Sequence, residues 1–268
     1  MSKTLLAAAL LALAMSSAAP PALAGQVLLT HAKALNGGIP GDAPGYPITI
    51  SKSGSYKLDG NLKPPAGKHG IEVTAHDVTI DFAGFTLRGN NAARTGIWGN
   101  KHSLTVKNGT ISSFTEHGIH GTGSFWTIDD MRVAENQESG VFAEGGSWTI
   151  ANSQIVSNRG EGIVVLDDGP ILIRNNVVSG NGFAGIYADR AHIEGNMVAD
   201  NGHAEYTSGI ILTIGTVLGN TVVDNASYGV SGSGFGLGNN TFSGNNGTGD
   251  EVLGGVPLHP NVCEGAAC

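Results

Sequence analysis

The sequence predicts an all-β chain wound into a single solenoid of about eight coils, with an N-terminal cap over its first edge. Three observations predict it. A glycine followed by Ile or Val recurs at Gly96, Gly118, Gly140, Gly162, Gly185, Gly209 and Gly229, at intervals of 20 to 24 residues. An asparagine column keeps step with it at Asn136, Asn158, Asn181, Asn201, Asn225 and Asn245. Apolar residues stand at fixed offsets before each asparagine, as at Val133, Ile128 and Trp126, or Ile155, Ile150 and Trp148. A fixed period of this length marks stacked supersecondary units. Within most coils the apolar residues alternate with others, as in Trp148-Thr149-Ile150, which is the period of a strand with one buried face. Stacked at the ordinary strand spacing, about eight coils make a rod about 40 Å long.

Residues 1–24 stand outside this pattern. Lys3, the apolar run Leu5–Met15 and the small-residue site Ala22-Leu23-Ala24 read as a secretory signal peptide. The run is too short for a spanning helix, so the mature chain is expected to be exported, periplasmic or extracellular, with no membrane span. Residues 25–68 read as cap and entry strand. Val27–Leu35 suits two turns of helix, a Gly- and Pro-rich loop follows over 37–47, and Ile48–Ile50 and Tyr56–Leu58 are strand-like. A solenoid end exposes strand edges, so a cover is expected there.

The repeat itself occupies 69–245. Its glycines serve turns. Asparagine tolerates the left-handed backbone, and stacked amides bond along a ladder, so the Asn column is expected to be structural. Gly215 interrupts one apolar column, with Ile214 a place early, which predicts a local bulge. Residues 246–268 form the tail. Its Cys263 and Cys268 are the chain's two cysteines, and in an exported protein they suggest one disulfide.

Coils of the form Gly-Ile-x…Ile-x-x-Asn-x-Val-x-x-Asn, such as Gly185–Asn201, together with the entry segment Ile48–Leu62, resemble the right-handed parallel β-helix repeat proteins of the pectate-lyase-like superfamily. The resemblance covers about residues 45–250 and is to bacterial exported members. It implies a single-stranded right-handed parallel β-helix. It does not select an activity, because that scaffold carries lyases, hydrolases, epimerases, adhesins and non-catalytic proteins.

A packed interior leaves function to the outside. The residue two after each repeat glycine should point outward, and that column reads Trp98, His120, Phe142, Val164, Tyr187, Ile211 and Ser231. An outward column this apolar marks an interaction surface, unless loops cover it. Glu144, Asp167, Asp168, Asp189 and Arg190 lie just beyond it. Rings flanked by acids suit sugar faces and hydroxyls, which makes Trp98, His120, Phe142, Glu144, Asp167, Tyr187, Asp189 and Arg190 the candidate ligand-binding residues. The expected partner is a polysaccharide or surface glycan.

The alternative class is an enzyme: a lyase, hydrolase or epimerase. Asp129-Asp130 is similar to the paired acids of β-helix polygalacturonases, but the basic motif of those enzymes is missing. Neighbouring residues on a strand also face apart, whereas inverting hydrolysis needs two carboxyls flanking one water. Arg190 with Asp167, Asp168 and Asp189 is the one cluster with a lyase's base and calcium-binding acids. No cofactor is otherwise expected, and the scattered histidines show no metal-ligand spacing. A scaffold for cofactor maturation would show a Met/His or Cys cluster, and none is seen. The formal charge of −8 disfavours nucleic acid and polyanions, which a net acid repels.

Overall fold

The computed structural model describes residues 25–166, 169–204, 207–246 and 249–268. The leader read at residues 1–24, Asp167 and Asp168 lie outside the described residues. Short strands stack coil upon coil in three parallel sheets. Sheet 1 has ten rungs, among them Ile48–Ile50, Ile71–Val73, Ile97–Gly99, Ile119–Gly121, Val141–Ala143 and Ile163–Val165. It continues through the first halves of Ile186–Glu194, Ile210–Leu218 and Val230–Gly238 to Val252–Leu253. Sheet 2 runs from Val27–Leu29 to Val256–Pro257, and sheet 3 from Leu62 to Val262–Cys263. Ten rungs, rather than about eight coils, arise because the entry segment supplies one coil and the tail another. Neither carries the Gly-Ile mark: Pro47 precedes Ile48 and Glu251 precedes Val252.

The alternation has the consequence expected of it. Ile97, Ile119, Val141, Ile163, Ile186 and Ile210 are wholly buried on sheet 1, as are Ile128, Ile150 and Ile173 on sheet 2 and Val133, Ile155 and Val178 on sheet 3. Trp126 and Trp148 stack inside at 4.6 Å, and their indole N–H groups donate to the carbonyls of Lys101 and Gly123. Each repeat glycine is there for close approach. A Cβ on Gly118 would lie 2.3 Å from Val133 and 2.7 Å from the Gly140 carbonyl of the next coil.

Three local expectations are corrected. Val27–Leu29 is a strand on Gly54–Leu58, and the helix is confined to His31–Asn36, where the Thr30 side chain accepts from the Lys33 N–H. Gly215 makes no bulge: Ala191, Gly215 and Phe235 stay in register. Glycine is required there because φ is +138° and a Cβ would meet the Ala191 carbonyl, while Ile214 points to solvent.

The asparagines are also not the left-handed residues. Those precede them, as Glu135, Ser157, Asp200 and Asp224. The asparagines point inward and are buried, each Nδ2 donating to the next Oδ1 from Asn136 to Asn245. The last donates to Glu251. A second ladder, Asn176, Asn196, Asn220, Asn240 and Asn261, runs at the corner between sheets 2 and 3. Buried amides are tolerated because each finds partners along the stack.

Candidate functional site

Parallel register turns the outward column of sheet 1 into a continuous ladder. Trp98 pairs with His120, His120 with Phe142, Phe142 with Val164, Val164 with Tyr187, and Tyr187 with Ile211. Val164 is covered, at 4% exposure, and the others are half-buried. Three adjoining hollows run beside the ladder, and neighbouring hollows share residues. The first, about 470 Å³, is lined by His69, Trp98, Glu116 and His120; the next by His117, Phe142 and Glu161; the third by Phe183, Tyr187 and Ile211. Five coil steps separate Trp98 from Ile211, so the trough is about 24 Å long.

Its second wall comes from the turns that lead from sheet 3 into sheet 1. There the residue before the repeat glycine reaches a glutamate on the next coil. Thr95 donates to Glu116 at 2.8 Å, His117 Nε2 stands 2.9 Å from Glu138, and Ser139 donates to Glu161 at 3.0 Å. Arg94 adds an ion pair to Glu116 at 2.8 Å. The backbone of these turns is laddered too, with Glu116 N–H donating to the Arg94 carbonyl. Glu116 and Glu138 are therefore held in line, one coil rise apart, by the same stacking that forms the sheets, and Glu161 follows one residue later in its turn.

Burial sets the charge of the imidazoles. His117 lies against Phe142, rings 4.7 Å apart and nearly parallel, and His120 meets both edge-on. Burial, aided by the nearby His120, lowers the His117 pKa to about 4. The ring is thus neutral at pH 7, and its 2.9 Å contact with Glu138 is not an ion pair. Burial and the Arg94 charge likewise lower His69, which stacks on Trp98 at 6.2 Å. Burial also acts on the acids. It raises Glu138, helped by the Glu116 charge. At Glu116 burial is outweighed by the hydrogen bonds from Arg94 and Thr95 and by the Arg94 charge, so its carboxyl is held below the usual value.

The candidates named from sequence divide as follows. Trp98, His120, Phe142 and Tyr187 come together in the ladder. Glu144 stands on its far side and meets His120 Nε2 at 3.0 Å. Asp189 follows Tyr187 on the same strand face, half-buried, and Arg190 is exposed at the junction of sheets 1 and 2, beside Ile214. Asp167 and Asp168, two of the three acids considered for calcium, lie outside the described residues. Among the described residues no group of three or more His, Cys, Asp or Glu side chains has metal-holding geometry. Asp129 and Asp130 are on another face. Asp129 accepts from Asn152, and Asp130 is left-handed at the sheet 2–3 corner, so the two diverge. A hollow of about 390 Å³ beside Asp130 is lined by Asn108, Arg132 and Gln154, but Arg132 is tied to Gln154 and Asn108 to Asp81. Cys263 and Cys268 form a disulfide.

Sequence reasoning missed Glu116, Glu138, Glu161, His69 and Phe183. Alignment on the repeat glycine carried the signal: acids recur one or two places before it at Glu116, Glu138 and Glu161.

Comparison with known proteins agrees with this architecture. The family model described as "Right handed beta helix region" matches residues 117–261, more than half of the chain. No curated protein matches by sequence. Among solved structures, the enzymatically active domain of bacteriophage CBA120 tailspike protein 2 aligns with a TM-score of 0.58 at 16% identity, over 80% of this chain and 37% of that one. Pectate lyase Pel9A aligns at 0.52 and 13%, over 78% of this chain and 70% of that one. A mutant of the periplasmic alginate epimerase AlgG aligns at 0.51 and 16%, over 74% of this chain and 62% of that one. At these identities the likeness is one of fold. The chain spans little more than a third of the tailspike domain.

Proposed function

The chain belongs to the right-handed β-helix family, and from that premise we propose that it is an exported protein that binds an extended polysaccharide in the trough along sheet 1. The observation that carries this reading is the open ladder Trp98, His120, Phe142, Tyr187 with a wall of aligned glutamates beside it. Aromatic rings receive the apolar faces of sugars, and carboxylates accept from their hydroxyls. A straight trough of repeating geometry suits a polymer better than a single compact ligand. Export agrees with the Cys263–Cys268 disulfide, and no helix among the described residues is long and apolar enough to cross a membrane.

Two of the polar groups in the trough are poor bases. A general base works best with a pKa near the operating pH. His117 is held near 4 and its Nε2 faces Glu138, and Arg94 is engaged by Glu116. The enzyme reading, a lyase, hydrolase or epimerase, rests on the likeness to the lyase and epimerase folds. Binding to a polysaccharide panel tests the proposal. Trp98→Ala, Phe142→Ala and Tyr187→Ala together should abolish binding with the fold intact by circular dichroism. Binding that survives all three would remove this face from consideration. Unsaturated uronides, new reducing ends or an epimerised product would place the chain in the enzyme class instead.

A further inference from the structure

Resting on that reading, we infer that the polymer held in the trough carries amines: a chain of 2-amino-2-deoxy sugars with free, protonated amino groups rather than a uronate or a fully neutral glycan. The argument centres on Glu138. Its carboxylate lines the two hollows that meet at His117, and its side chain is 52% exposed, so a ligand can reach it. One rung away stands Glu116, whose charge raises Glu138. The two acids sit in successive turns joined by the Glu138 N–H to Glu116 carbonyl bond, so their like charges repel across one coil rise. Arg94 offsets only one of them, because its ion pair is with Glu116, and Arg159, which lines the same hollow as Glu138, makes no ion pair with it. Glu138 has a neutral imidazole as its partner instead.

An ammonium group is the ligand feature that answers this arrangement. It donates hydrogen bonds to a carboxylate that can only accept, and it brings the charge that Glu138 is missing. A sugar hydroxyl supplies the hydrogen bond without the charge. A uronate adds a third anion beside Glu116 and Glu138. The acids also recur coil by coil, Glu116, Glu138 and Glu161, with Trp98 and Phe142 beside them. That is a row of charge next to a row of rings, as a polymer with one amine per sugar requires.

Trp126 and Trp148 are buried, so quenching of the half-buried Trp98 reports occupancy of the trough. Oligomers of glucosamine, N-acetylglucosamine and galacturonate, equal in length, would be titrated at mildly acidic pH and two salt concentrations. The glucosamine oligomer should bind about tenfold more tightly than its acetylated twin and should weaken with salt, as screened charge pairs do. Glu138→Gln should erase that preference with the fold intact by circular dichroism. Asp129→Asn, on another face, should keep it, which separates the trough from general attraction of a polycation to an acidic protein. Equal or tighter binding of the acetylated or uronate oligomer overturns the inference and leaves the trough standing, as does a preference that persists in Glu138→Gln. If none of the three binds, and none of the wider polysaccharide panel does, the binding reading falls as well.

Discussion

His117 Nε2 lies 2.9 Å from the carboxylate of Glu138 on the next coil, yet the imidazole is neutral at pH 7. Burial lowers its pKa from 6.5 to about 4. In that pH interval the unfolded chain binds a proton that the folded ring refuses. The stability contributed by the neutral ring is therefore complete above about pH 6.5 and is lost as the pH falls towards 4, by up to about 3 kcal/mol. Glu138, raised by burial, acts with the opposite sign: its share is present at low pH and fades as the pH rises through its folded value. Urea midpoints at pH 7 and pH 5 should differ less in His117→Gln than in the parent. An unchanged difference would show that the ring titrates as an exposed one.

The buried amide ladder is the stiffest part of the design and should be the most sensitive to deletion. Asn181 accepts from the backbone N–H and the Nδ2 of Asn158, and donates to the carbonyl of Ile155 and the Oδ1 of Asn201. Asn181→Ala leaves the Asn158 N–H without a partner in a site closed to water. The expected loss is about 2–4 kcal/mol, the cost of orphaning buried polar groups. Gln154→Ala, an exposed neighbour on sheet 3, should stay within about 0.5 kcal/mol. Chemical denaturation of the two variants separates these expectations.

The architecture was legible because it repeats. A strand face of period two and a coil of about 22 residues each leave many copies of one signal, and the buried columns of Ile150 and Ile155 lie where those copies put them. The outward ladder followed from the same alternation. The opposite wall was only half legible: Glu116 and Glu138 recur at a fixed offset before the repeat glycine, but they lie in turns, where side-chain direction cannot be read from spacing. Nor was the charge state of His117 legible, since it depends on its contact with Phe142 across coils. The asparagines show a subtler limit. Their spacing was plain, but whether the side chain or the backbone was the reason depended on which of two adjacent residues turned left-handed.

Gly118 tests why the repeat needs glycine. Its backbone is not left-handed, so conformational freedom is not the requirement. An added Cβ would stand 2.3 Å from Val133 Cγ1 and 2.8 Å from Asn136 Nδ2. Gly118→Ala should therefore push two coils apart and destabilise by about 1–3 kcal/mol through overpacking. Pairing it with Val133→Ala, which vacates the nearest atom, should recover part of the loss in a double-mutant cycle. Independent, additive effects would mean that the glycine matters for some reason other than contact.

The disulfide sets a different scale of stability. Cys263 and Cys268 are five residues apart and close the short antiparallel pair Val262–Cys263 with Ala266–Ala267. A loop this small contributes about 2 kcal/mol on the chain-entropy account. That contribution acts on the tail, since Val262–Cys263 joins the solenoid through sheet 3 at Thr241–Ser243. Asn261, just before it, ends the second amide ladder by accepting from Asn240 Nδ2 at 2.9 Å. Cys263→Ser with Cys268→Ser should therefore raise amide exchange across 262–267 and loosen the Asn240–Asn261 step, while amides near Asn181 keep their protection. Uniform loss of protection along the chain would show instead that the tail holds the whole solenoid closed, and that its coils unfold as one unit rather than from the end.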